Sequence, residues 1–311
     1  MKKIILIFVL LLFYFIGCDS SNNVAIEKID TTDVVSSQEL HQQSNKRKSD
    51  TFYFGFDPRN SPQKDVAQYI PLMKYLEKKT GFKFKLHFTS KDSSTIDDIG
   101  NGKTQFALMG AMGFLKAQMK FNTKIIVRGI NKDGESKYRS FFVTRTNSSI
   151  NKVQGSKFTF GNINSTQGNL IPRIEFKKTG ITLESLKSYA YAGSHQKCAE
   201  AVISGKFDIC AMQDQLANRL SKEGLVKIIY KSSWYPSSGV VASSLVDENI
   251  ITKVKQALLE FDPIDKDKKG LYSWETTEMP LGFTDVGNDD YTDLKNWALK
   301  LGVLIKKSKD N

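Results

Sequence analysis

The 311-residue chain carries 45 Lys and Arg against 33 Asp and Glu, a formal charge of +12, and its apolar content of 40% is ordinary for a globular protein. The basic residues are dispersed, Lys46-Arg47-Lys48 being the densest run, so the excess favours anionic ligands or a membrane surface and gives nucleic acid no concentrated footprint. His41, His87 and His195 lie far apart and lack Cys or carboxylate partners at ligand spacing, which argues against a metal centre, and no cofactor is expected.

In chain order, Lys2 and Lys3 precede an uninterrupted apolar run from Ile4 to Ile16, then Gly17 and Cys18. This is the pattern of a secretory signal; it is shorter than the roughly 20 residues that span a bilayer, and no later segment is a better candidate. Phe15-Ile16-Gly17-Cys18 resembles the bacterial lipoprotein cleavage motif, although Leu is usual where Phe15 stands, and it makes Cys18 the expected lipidated residue. From Asp19 to Asp50 the chain is polar and free of aromatics, the composition of a flexible tether. The expected layout is therefore a signal peptide at 1–17, a lipid-anchored tether at 18–50 and an exported body held in the periplasm or on the outer face of the cell membrane. In that compartment Cys198 and Cys210 are either bonded or two separately buried thiols, and their spacing leaves both open.

The body opens with a short apolar strand, Phe52 to Phe56, that stops at Asp57-Pro58. Val66, Tyr69, Ile70, Met73 and Leu76 then recur at helical spacing, and Thr80-Gly81 closes the helix. Residues 82–88 alternate at period two, and 106–109 form a buried strand after the Gly100-Asn101-Gly102 turn. Further strands are read at 124–128, 140–144, 157–160, 207–211 and 226–230, with an extended segment at 240–243. Helices are read at 169–178, 196–204, 250–259 and 291–301. This alternation predicts an α/β chain of mostly parallel sheets flanked by helices. Crossings near 138–142 and 236–240 divide it into lobe one (51–140 plus 240–306) and lobe two (141–239).

Four strand-to-helix junctions are rich in Gly, Ser and Thr: 91–96, 109–113, 158–172 and 190–198. In a parallel sheet such loops share one carboxyl edge, where ligands bind, and helix N-termini there attract anions. Taken singly, Ser165 and Thr166 read as ordinary helix caps. Together with a single His at 195, the loops suit a compact anion held by many neutral donors.

These residues resemble the substrate-binding proteins of phosphonate and phosphite ABC transporters, the PhnD-like family with the two-lobed type II periplasmic-binding fold. The resemblance runs from about Phe52 to about Trp234. Its marks are Ser165-Thr166-Gln167-Gly168 followed by Leu170-Ile171-Pro172, and Gly193-Ser194-His195 followed by Ala201-Val202 and Gly205-Lys206-Phe207-Asp208. Tyr138-Arg139-Ser140 at a lobe-crossing strand completes them. The resemblance implies that Tyr138, Ser165, Thr166 and His195 donate to an anion's oxygens in a cleft completed by Gln167 and Gly168. Gln167 stands where the family has Ser, and its amide is expected to reach as a donor. Ser93 stands where many members have a binding Tyr. Ser238, in Pro236-Ser237-Ser238-Gly239, lies where aminoalkylphosphonate binders have an acid, so an amine-free ligand is expected: phosphite, methylphosphonate or phosphate. The implied partners are an ABC transporter permease and the membrane through Cys18, with no nucleic acid, and the chain is expected to act as a monomer. Competing readings are a binder of sulfonates or other small anions, an adhesin or sensor on the same fold, and an exported Ser/His hydrolase. The last lacks a Gly-x-Ser-x-Gly elbow near Ser165 or Ser194.

Overall fold

The computed structural model describes residues 34–35, 51–59, 61–287 and 290–305. The predicted signal peptide, Cys18 and most of the predicted tether lie outside these residues. Strand β1 (Val34–Val35) falls within the predicted tether and pairs in parallel with Leu86 and His87, so the tether reading does not extend over those two residues.

The first half of the body runs β2 (Thr51–Phe56), α1 (Pro62–Thr80), β3 (Lys83–His87), α2 (Thr95–Gly100), β4 (Phe106–Met109), α3 (Ala111–Phe121) and β5 (Lys124–Gly129). Helix α1 starts with Pro62, whose missing N–H costs nothing in the first turn. It stops at Gly81, which takes φ of 76° and returns its N–H to the Glu77 carbonyl. After β6 (Lys137–Tyr138) come β7 (Ser140–Arg145), β8 (Lys157–Phe160), a π-helical turn (Thr166–Leu170), α4 (Ile171–Lys178), β9 (Ser188–Tyr191) and α5 (His195–Ile203). The chain continues through β10 (Ile209–Gln213), α6 (Asp214–Lys222), β11 (Val226–Lys231), β12 (Tyr235–Pro236), β13 (Gly239–Ala242), α7 (Glu248–Leu259), β14 (Phe283–Thr284) and α8 (Thr292–Lys300).

Two sheets result. One has the order β1-β3-β2-β4-β13-β5-β14, with β13 antiparallel between β4 and β5. The other has the order β11-β7-β10-β8-β9, with β7 antiparallel to both neighbours and β8, β9 and β10 parallel. Between them β6 and β12 pair with each other, Tyr138 opposite Tyr235. The chain leaves the first sheet through β6 and returns to it through β12, so this two-stranded ribbon is where it changes sheet. Gly239, where β13 begins, is required by packing: a Cβ there would lie 2.1 Å from the Val127 carbonyl oxygen.

Phenylalanines fill both cores. Phe54, Phe56, Phe84 and Phe106 are fully buried in the first. In the second, Phe142, Phe158 and Phe176 meet edge-to-face with centroids 5.0–5.8 Å apart. Each such ring contributes about 1.5–3 kcal/mol by burial alone. A third apolar cluster joins elements of both sheets, with Met109, Met112 and Leu115 packed with Leu170, Ile171 and Ile174. Cys198 of α5 and Cys210 of β10 are joined in a disulfide with Cα atoms 5.8 Å apart, which resolves the alternative left open by their spacing and ties α5 to its sheet.

Candidate functional site

A cavity of about 380 Å3 opens at the carboxyl ends of β2, β3, β4, β8, β9 and β10. Of the predicted site residues, Ser93, Tyr138, Ser165, Thr166, Gln167, His195 and Ser238 line it. Gly168 does not. Its N–H donates to Ser165 Oγ at 2.9 Å, and its bare Cα admits Gly161, since a Cβ on Gly168 would lie 3.0 Å from the Gly161 Cα and 3.1 Å from His195. Gly168 thus shapes the loop from behind.

The donors can be assigned one at a time. Ser165 caps the π-helical turn by accepting from the Gly168 N–H, so the plain cap reading holds, yet its own proton stays free for another partner. Thr166 Oγ1 accepts from the Met112 N–H at 2.8 Å and likewise keeps its proton. His195 heads α5, directly after the cap Ser194. The Gln213 N–H donates to His195 Nδ1 at 3.3 Å, so the neutral ring carries its proton on Nε2, which faces Ser165 Oγ at 3.4 Å. Burial, and then the nearby Arg59 charge, lower the His195 pKa to about 4, so the ring is a neutral donor at ordinary pH. Tyr138 is 4% exposed, and its hydroxyl lacks a partner of hydrogen-bonding geometry among the described residues. Burial, with the Glu278 charge adding to it, raises its pKa well above the phenolic range, so it remains an O–H donor; Thr166 and the Ala111 N–H temper that shift.

Three predicted residues behave differently. Gln167 lines the cavity but gives its amide hydrogens to the Arg139 carbonyl at 2.9 Å and Asp214 Oδ1 at 3.3 Å. Ser93 donates to Asp98 Oδ1 at 2.7 Å, and Ser238 donates to Glu278 Oε2. Both are cavity-lining hydroxyls whose single proton is already placed.

Sequence reasoning missed the charged residues of the wall. Arg59, in the loop after β2, lines the cavity and pairs with Glu278 at 2.5 Å. Burial alone would lower the guanidinium pKa, but Glu278, Tyr69 and Asp57 more than reverse that, and it stays charged. Glu278 is 7% exposed, lines the cavity and accepts also from Gln213 Nε2 at 3.0 Å. The absence of an acid in the Pro236–Gly239 segment therefore does not leave the cavity without one. Asp57 lines it too, accepting from the Gly110 N–H at 3.2 Å. The only local signal for Arg59 is its place at a strand's carboxyl end; for Glu278 there is none. Among the described residues no group of His, Cys, Asp and Glu could hold a metal ion, and no helix is long and apolar enough to cross a membrane.

Residues 54–291 match the family described as "ABC transporter, phosphonate, periplasmic substrate-binding protein". A relative named phosphonates-binding periplasmic protein, from Escherichia coli (strain K12), is 25% identical over 228 residues, covering 69% of this chain and 67% of that one. The probable ABC transporter phosphite binding protein PhnD1 of Prochlorococcus marinus (strain MIT 9301) is 24% identical over 235 residues, covering 69% and 73%. The solved structure of PhnD1 from Prochlorococcus marinus (MIT 9301) in complex with methylphosphonate superposes with a TM-score of 0.71 at 18% identity, covering 82% of this chain and 99% of that one. That likeness identifies the architecture as the type II periplasmic-binding fold. Such proteins bind and deliver substrates to transporters and are not enzymes, and the chain belongs to this family, the periplasmic substrate-binding proteins of phosphonate ABC transporters.

Proposed function

We propose that this protein is a lipoprotein, anchored through Cys18, that captures a small phosphorus oxyanion between two lobes and hands it to its permease. The observation that carries the reading is the convergence of the Tyr138 O–H and the hydroxyls of Ser165 and Thr166 on one cavity beside Arg59, with His195 Nε2–H behind Ser165 at 3.4 Å and within reach of the same space. Hydroxyl and imidazole donors that share one cavity wall suit the oxygens of a tetrahedral anion. Phosphite, methylphosphonate and phosphate are the candidates, in keeping with the phosphonate, phosphite, methylphosphonate and phosphate named for relatives.

Tyr138, Ser93 and Ser238 belong to lobe one or the crossings (51–140 plus 240–306 and the segment entering it), and Ser165, Thr166 and His195 to lobe two (141–239). A ligand touching both sets favours the closed arrangement by its differential affinity, with the β6–β12 ribbon as the hinge. Contacts between the two sets of elements support this: Thr166 with the Met112 N–H, Gln213 with Glu278, and Gln196 Nε2 with the Arg59 carbonyl at 3.0 Å. The preference for an amine-free ligand now rests on a different ground. The Glu278 carboxylate is already shared by Arg59, Gln213 and Ser238, so a ligand ammonium would have to displace one of them.

Calorimetric titration of the purified protein with phosphate, phosphite, methylphosphonate and aminoethylphosphonate tests the reading. One of the first three is expected to bind tightest, and the Ser165→Ala/Thr166→Ala double variant to lose at least about a hundredfold in affinity, near 3 kcal/mol. No binding of any oxyanion, or aminoethylphosphonate well ahead of the rest, would defeat it.

A further inference from the structure

Ser93 and Ser238 stand at different places on the cavity wall and share one property: each gives its proton to a buried carboxylate. Asp98 is fully buried and accepts from Ser93 while also meeting His87 Nε2 at 3.0 Å and Lys103 at 3.5 Å. Burial alone would raise the Asp98 pKa, but hydrogen bonds from His87 and Ser93 hold it at about 2, so this acceptor stays ionised. Glu278 accepts from Ser238 while held by Arg59 and Gln213.

A hydroxyl has one proton and two lone pairs. With both protons drawn into the wall, Ser93 and Ser238 turn lone pairs toward the cavity, so they act there as acceptors and not as the donors that a fully ionised anion requires. A sulfonate or sulfate oxygen beside either serine would face lone pair to lone pair, unless the serine broke a charge-assisted bond to its carboxylate. A phosphorus oxyanion bearing a P–OH instead supplies the missing hydrogen.

We infer that the site selects phosphorus oxyanions in a protonated form, with Ser93 and Ser238 accepting the ligand's P–O–H and so rejecting sulfonates of the same shape. This rests on the oxyanion-capture reading above and deepens it. A singly protonated ligand satisfies one serine, and a doubly protonated one satisfies both. Phosphorus oxyanions lose their second proton near neutral pH, at about 6 for a phosphate monoester, whereas sulfonates carry none to lose.

The titratable groups near these serines are Asp98, with His87 and Lys103, at Ser93, and Glu278, with Arg59, at Ser238; Asp57, Tyr138 and His195 line the same cavity. Asp214, coupled to Glu278, has its pKa raised to about 6 by burial and also titrates in the relevant range. A ligand without a titrating proton corrects for all of them, because it feels every change in the protein and none of its own.

The test is calorimetry with methylphosphonate and methanesulfonate, each one methyl on a tetrahedral centre, at about pH 5.5 and about pH 8.5. At the lower pH methylphosphonate is expected to bind at least about tenfold tighter, and the ratio of the two affinities to shrink by about tenfold at the higher. Ser93→Ala and Ser238→Ala together should bring the ratio to within about threefold, chiefly by weakening methylphosphonate. The wild-type pH comparison needs no variant to fold. Equal affinities at low pH, or a ratio unmoved by pH, overturn the inference while oxyanion capture stands. If neither ligand nor inorganic phosphate binds at any pH, capture itself falls and the inference with it.

Discussion

His195 and Asp214 carry opposite proton linkages, and replacing Asp214 with Asn should expose the one that the wild type conceals. Folding lowers the His195 pKa from 6.5 to about 4, so between those values the unfolded chain binds more protons and stability rises with pH. Folding raises the Asp214 pKa from 3.8 to about 6, so over nearly the same range the folded chain holds the proton longer and stability falls as pH rises. Each displacement corresponds to about 3 kcal/mol, and in the wild type the two offset each other across about pH 4–6. Asp214→Asn keeps one acceptor oxygen for the Arg139 or the Gln215 N–H, turns its NH2 toward the other at a cost that does not vary with pH, and removes the titration. Relative to wild type, the variant should lose about 2 kcal/mol more of its stability between about pH 7 and about pH 4, because Asp214 no longer takes up the proton that offsets the charging of the buried imidazole. Urea unfolding at four pH values across that window, analysed as the difference between variant and wild type, measures this directly. A difference that stays constant with pH would refute the Asp214 linkage, and a variant whose own stability does not fall between about pH 6.5 and about pH 4 would refute the assignment of His195 as a neutral Nε2 donor.

Two further outcomes follow from packing. Cys198→Ala/Cys210→Ala removes a covalent tie across a 12-residue separation and should lower stability by about 2–4 kcal/mol in thermal or urea unfolding; an unchanged midpoint would mean that the tie is redundant with the packing of α5. Gly168→Ala puts a methyl 3.0–3.1 Å from Gly161, His195 and Ser165, so it should cost about 1–3 kcal/mol and weaken ligand binding together, whereas a variant stable and fully active in titration would contradict the close approach.

The donors were legible in the sequence because each stands at the end of a strand that the alternation of apolar runs reveals. A strand's carboxyl edge fixes the location of Ser165, Thr166 and His195 before any tertiary contact is known. The sequence places an ordinary helix at 169–178, after caps at Ser165 and Thr166, and gives no sign of the π-helical turn over Thr166–Leu170, where the Gly161 N–H meets the Gly168 carbonyl. Glu278 was invisible for another reason. It pairs with Arg59 across 219 residues from a stretch without periodicity, and no local pattern distinguishes a buried carboxylate there from a solvated one. The fate of a hydroxyl proton was hidden as well: Ser93 and Ser165 are alike in one dimension, and only their neighbours, Asp98 and the Gly168 N–H, make one an acceptor and the other a donor.

The serine caps have a bearing on how this protein can be altered. Ser94, Ser165 and Ser194 each accept from the backbone of the helical turn they head, so those hydroxyls hold up the frame as well as edging the cavity. Exchange to Thr, Asp or Asn can preserve a cap where exchange to an apolar residue cannot. Ser93 and Ser238 cap nothing, and Arg59 and Gln213 reach the cavity wall from a loop and from a strand end. At these four positions a change of recognition leaves the helix caps alone and is felt instead by the buried carboxylates Asp98 and Glu278 that the side chains serve.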